Sequence, residues 1–186
     1  MGQWRLLERR VVQRCRVFDV SSATFESVES NRPHQFFVLN APDWVNVIPI
    51  TDGGRVLMVR QYRFGIAADT LEIPGGMCDA GESPLTAARR ELREETGYRA
   101  KRLTGVGWVH PNPPIQDNRC HTFVARGLSQ EGPPSATDDE RIELIDVALD
   151  ELPRLLVDGT ITHALVLAAF QLFDGYRRGF SRQDGA

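Results

Sequence analysis

The stretch GGMCDAGESPLTAARRELREETGY, residues 75–98, decides the fold. Ser83 can cap a helix, Pro84 suits its first position and Gly97 supplies a left-handed stop, so the sequence predicts a helix over 84–96. At about 100° per residue, Leu85, Ala88, Leu92 and Thr96 fall on one stripe, while Glu91, Glu94 and Glu95 gather on an adjacent arc. One face packs and the other collects charge. Three carboxylates spaced i, i+3 and i+4 repel one another unless cations neutralise them. Mg²⁺, with Mn²⁺ as an alternative, fits as a hard ion that takes carboxylate oxygens and bridges to substrate phosphates. The preceding Gly75-Gly76 can bring a backbone carbonyl close to the same place, Glu82 stands at the helix entrance, and Arg90 is placed to pair with a glutamate and orient it. Metal-assisted hydrolysis is the chemistry this pattern serves.

Outward from that helix the chain reads as a mixed sheet with helices, not a strictly alternating β-α-β chain. DWVNVIPI (43–50) and RVLMVRQYR (55–63) are separated by Thr51-Asp52-Gly53-Gly54, which predicts a β-hairpin. TLEIP (70–74) is a short strand ended by Pro74. Strand-like segments resume at 104–110, 120–127 and 141–149, with a Pro-rich loop, HPNPPIQDN (110–118), between the first two. Two helices follow, near 150–158 and about 161–177, the second apolar at Leu165, Ala168, Ala169, Leu172, Phe173 and Tyr176. Before residue 43, RRVVQRCRVFDV (9–20) and QFFVLN (35–40) predict strands of a modest N-terminal sheet.

The 186 residues fit one domain of ordinary size with a terminal extension, and 41% hydrophobic with 25% charged residues is a globular composition. A net charge of -3 excludes a general nucleic-acid binder, which carries a basic face. No run approaches a bilayer-spanning length and the N-terminus has no apolar signal region, so neither membrane nor secretion is expected. Cys15, Cys78 and Cys120 match no disulfide framework or zinc site, and a cytoplasmic setting is expected.

Gly76, Glu82 and the run Arg90-Glu91-Leu92-Arg93-Glu94-Glu95-Thr96-Gly97-Tyr98 together resemble the complete signature of the Nudix hydrolase family. The resemblance implies an α/β fold of the α/β/α sandwich type and hydrolysis of a nucleoside diphosphate linked to another moiety. It also implies metal ligation by Glu91, Glu94 and Glu95, helped by the Gly76 carbonyl and Glu82. The strand-rich N-terminus, Gln61-Tyr62-Arg63, Leu71-Glu72-Ile73-Pro74 and Pro113-Pro114 are similar to the branch holding ADP-ribose pyrophosphatases and nucleoside diphosphate sugar hydrolases. That branch implies a homodimer built through residues 1–42, with residues 43–180 forming the Nudix domain. It also implies that Glu140, in the acidic loop Asp138-Asp139-Glu140, acts as a mobile general base. Arg63 is a candidate phosphate contact and Glu72 could face the metals. Trp44 and Trp108 are candidate platforms for a nucleobase. Two other readings are open: housecleaning of a modified nucleoside triphosphate, and a non-catalytic module that senses ADP-ribose.

Overall fold

The computed structural model describes residues 3–135 and 142–180. The chain divides into two units, one made of residues 1–42 with 110–119, the other of residues 43–109 with 120–186.

The first unit is an antiparallel sheet of β1 (Trp4–Arg14), β2 (Asp19–Ser27) and β3 (Pro33–Asn40), in that order. The predicted strand over 9–20 is in fact two strands and a turn: the Cys15 N–H donates to the Phe18 carbonyl at 3.0 Å, and Arg14 then faces Asp19 across β1 and β2. Alternating apolar residues continue through the turn, so periodicity alone does not reveal it. The Pro-rich segment is tied to this sheet by Asp117, which accepts from Arg9 at 2.8 Å, and by the Leu39 N–H, which donates to the Ile115 carbonyl at 2.8 Å.

The second unit runs β4 (Trp44–Pro49), β5 (Arg55–Arg63), β6 (Ala68–Glu72), β7 (Gly75–Met77), α1 (Pro84–Thr96), β8 (Tyr98–Val109), β9 (Cys120–Gln130), β10 (Ile142–Ala148), α2 (Leu152–Val157) and α3 (Ala164–Arg177). Two sheets result, β7-β4-β9-β8 and β10-β5-β6, with β4 and β9 parallel and every other pair antiparallel. The expected hairpin of 43–50 with 55–63 does not form. The turn is present, but only the Ile50–Val56 bridge joins the two segments before they part into different sheets. Val45 through Ile50 are all buried, the signature of a central strand that needs a neighbour on each side and helices on both faces.

Successive residues of β4 point to opposite faces. Val45 and Val47 pack with Ala87, Ala88 and Leu92 of α1, while Ile48 and Ile50 pack in a second core with Val124, Val166, Phe170 and Phe173. The result is an α/β/α sandwich. α1 has the predicted limits: the Ser83 hydroxyl accepts the Thr86 N–H at 3.2 Å, and Gly97 closes the helix at φ 74° with its N–H on the Arg93 carbonyl. Its buried stripe differs from expectation, since Leu85 is 40% exposed and Glu95 only 6%. The buried stripe of α3 is likewise rotated to Val166, Ala169, Phe170 and Phe173.

Candidate functional site

Gly75 and Gly76 form β7 against β4, and each is glycine for a steric reason. A Cβ on Gly75 would lie 2.2 Å from the Val45 carbonyl oxygen, and one on Gly76 would lie 2.4 Å from Glu91 Oε1. The strand therefore approaches α1 closely enough for the helix to reach it. Glu95 Oε2 accepts the Gly75 N–H at 3.0 Å, which explains why this carboxylate turns inward.

Arg90 occupies the middle of the acidic arc. Its guanidinium donates to Glu82 Oε2 at 2.9 Å, Glu91 Oε1 at 2.7 Å, Glu94 Oε2 at 3.2 Å and the Met77 carbonyl at 2.8 Å. The bond from Arg90, joined by the Asp79 N–H, holds the Glu82 carboxyl below the usual glutamate range. The same carboxylates push the Arg90 guanidinium further toward its charged form. Mutual repulsion among the glutamates is thus offset by an internal cation. Among the described residues, no three acidic, histidine or cysteine side chains are already drawn into a ligand cluster. The donor chemistry nonetheless suits a hard divalent ion: Glu82, Glu91, Glu94, Glu95 and the Gly76 carbonyl offer only oxygen, and the missing Gly76 side chain leaves the Glu91 carboxylate its place.

Arg63 and Glu72 meet on the neighbouring sheet. Arg63 Nε and Nη2 each donate to a Glu72 oxygen at 2.7 Å, a fork-to-fork pair with Glu72 almost fully buried. The Thr70 hydroxyl adds a third bond, and His163 Nε2 lies 3.9 Å from Glu72 Oε2. Burial raises the Glu72 carboxyl, but the bonds from Arg63 and Thr70 outweigh it and the net shift is downward. Sequence reading gave no role to Thr70 or His163. The period-two spacing of Thr70 and Glu72 on one strand is the signal for the first, whereas His163 arrives from the start of α3, where its Nδ1 accepts the Leu165 N–H.

Trp44 and Trp108 are both partly buried in the β7-β4-β9-β8 sheet. Trp108 pairs with His121, itself paired with Val45, so it shares the face of Val45 toward α1. Trp44 sits one residue away on the opposite face. The two rings cannot sandwich one base between them. Glu140 lies outside the described residues.

A NUDIX domain is matched over residues 42–170. The chain is 32% identical over 170 residues to the ADP-ribose pyrophosphatase of Bacillus subtilis, covering 89% of this chain and 92% of that protein. It is 30% identical to the ADP compounds hydrolase NudE of Escherichia coli over 95% of each chain. A crystal structure of an ADP compounds hydrolase superposes with a TM-score of 0.81 at 27% identity, over 95% of both chains. Signature, sandwich and full-length likeness converge: the chain belongs to the Nudix hydrolase family.

Proposed function

We propose that this protein hydrolyses the diphosphate bond of ADP-ribose or a related nucleoside diphosphate sugar, releasing a nucleoside monophosphate and a sugar phosphate. The observation that carries this reading is the intact carboxylate arc on α1, built against Gly76, in a chain that matches an ADP-ribose pyrophosphatase over nearly its whole length. Glu91, Glu94 and Glu95, with the Gly76 carbonyl and Glu82, would hold Mg²⁺. Bound there, the ion supplies positive charge to the diphosphate and acidity to the attacking water.

The protein's own groups do the rest. Arg90 keeps Glu82, Glu91 and Glu94 aligned, as its four contacts support. Glu140 takes the proton of the attacking water, on the branch resemblance. Arg63, fixed in orientation by Glu72, contacts a substrate phosphate, and Trp108 or Trp44 stacks on the base. Residues 1–42 pair two copies into a homodimer; exposed Trp4, Leu6, Val11, Phe36 and Phe37 on that sheet support this. The cytoplasm is the proposed setting, since all three cysteines are unbridged.

The test is phosphate release from purified protein with Mg²⁺, after phosphatase treatment of the products, across ADP-ribose, other nucleoside diphosphate sugars and nucleoside triphosphates. Preference for a diphosphate sugar supports the reading. Preference for a triphosphate, or no turnover with metal present, overturns it.

A further inference from the structure

On the other flank of α1, roughly 150° around the helix axis from Glu91 and Glu94, Arg89 and Arg93 stand one turn apart. They face the start of β8, and with Thr86, Arg90, Arg99 and Glu131 they rim a cavity of about 250 Å³ floored by Leu92, Ala100 and Leu103. Arg99 is paired with Glu131 at 3.0 Å. The side chains of Arg89 and Arg93 make no ion pair or hydrogen bond with any described residue. The rim therefore carries four arginines against one carboxylate, beside an apolar floor. Arg90 is engaged by Glu82, Glu91 and Glu94 and Arg99 by Glu131, which leaves Arg89 and Arg93 to meet an anion.

We infer that this cavity, on the flank of α1 away from the carboxylate arc and joined to it through Arg90, is a second binding site for a small phosphate monoester. Planar guanidinium forks match phosphate oxygens in pairs, and two forks one helical turn apart can hold one dianion from two sides. The volume falls just under the usual range of small-molecule pockets, roughly 300–1,000 Å³, so a monophosphate fits where a dinucleotide does not. Leu92, Ala100 and Leu103 offer a dry surface to the body of the ester.

The experiment needs no turnover and so is independent of the proposed reaction. Without metal, the arc of Glu91, Glu94 and Glu95 disfavours anions, which leaves the arginine cavity as the place where a phosphate is attracted. The full chain in EDTA and physiological salt is titrated with adenosine monophosphate, and separately with inorganic phosphate, while backbone amide resonances are followed. Saturable shifts centred on Thr86, Arg89, Arg93 and Arg99 are expected, with adenosine monophosphate saturating at lower concentration because of the apolar floor. The double variant Arg89→Gln/Arg93→Gln should melt at the wild-type temperature and bind at least tenfold more weakly. Absence of saturation, shifts centred on Glu91 and Glu94, or unchanged binding by the double variant would each overturn the site. Equal affinity for adenosine monophosphate and inorganic phosphate would overturn the assignment of a monoester, since the apolar floor would then take no part in recognition.

Discussion

Gly76 and Glu91 are fitted to each other: a Cβ on the glycine would stand 2.4 Å from the glutamate's Oε1 and 2.6 Å from its carboxyl carbon. The obstructing group is the far end of a flexible side chain, so Gly76→Ala is expected to fold with little loss of stability while pushing the Glu91 carboxylate aside. Turnover with Mg²⁺ should then fall by roughly 10- to 100-fold, the range for a misplaced ligand or its support. Thermal melting and steady-state kinetics on the same preparation separate the two effects. Loss of folding together with activity would mean that Gly76 is needed by the sheet and not by Glu91.

Glu94 and Glu95 differ in burial, and their amides should differ accordingly. Glu94 is partly exposed and bonded only through Arg90 among the contacts described, whereas Glu95 is 6% exposed and receives the Gly75 N–H. Glu94→Gln should lose about 100-fold or more in kcat, equivalent to several kcal/mol of charge stabilisation, with melting unchanged. Glu95→Gln should lose comparable activity and also some stability, about 1 kcal/mol, since a neutral acceptor for Gly75 is weaker. Near wild-type turnover in both would refute the proposed ligand set.

The helix that carries the arc was legible in the sequence because local chemistry fixes it: Ser83, Pro84 and Gly97 mark its ends whatever surrounds it. The sheet partners of β4 were not. Thr51 through Gly54 make a good turn, yet the choice between a hairpin and two sheets depends on β9, some 70 residues away and parallel to β4. A local signal cannot weigh that competition. The same limit applies to the site. The spacing of Glu91, Glu94 and Glu95 announced an acidic arc, but the inward turn of Glu95 depends on the Gly75 N–H. His163, brought to Glu72 by the packing of α3, left no trace in the sequence pattern.

Arg90 is the internal counter-ion of the arc, and removing it should make the fold depend on metal. Arg90→Gln leaves Glu82, Glu91 and Glu94 without their shared partner. The metal-free variant should melt below the metal-free wild type. Adding Mg²⁺ should recover more stability in the variant than in the wild type, since a ligand stabilises by an amount that grows with the occupancy it gains, about 2.7 kcal/mol at 100 times its Kd. Melting curves with EDTA and with millimolar Mg²⁺ give the four values required. Equal metal-induced shifts in the two proteins would show that Arg90 and the ion do not compensate for the same repulsion.

The pair of Arg63 and Glu72 gives a pH signature. The Glu72 carboxyl titrates below its ordinary value of 4.5 in the folded protein, because the Arg63 and Thr70 bonds outweigh the penalty of burial. As pH falls through that window the unfolded chain takes up the proton before the native one does, so stability declines with falling pH. Above the ordinary value the contribution is fully present. Glu72→Gln removes this titration and keeps one acceptor for Arg63, so at neutral pH it should be less stable by about 1–2 kcal/mol, partial exposure of Arg63 limiting the loss. Below pH 4.5 the wild-type curve should bend down toward that of the variant. Urea unfolding of both proteins between pH 7 and pH 3 measures the convergence. Curves that stay parallel from pH 7 through the acid limb would mean that the Glu72 carboxyl titrates alike in the folded and unfolded protein, and that the Arg63 and Thr70 bonds do no more than offset its burial.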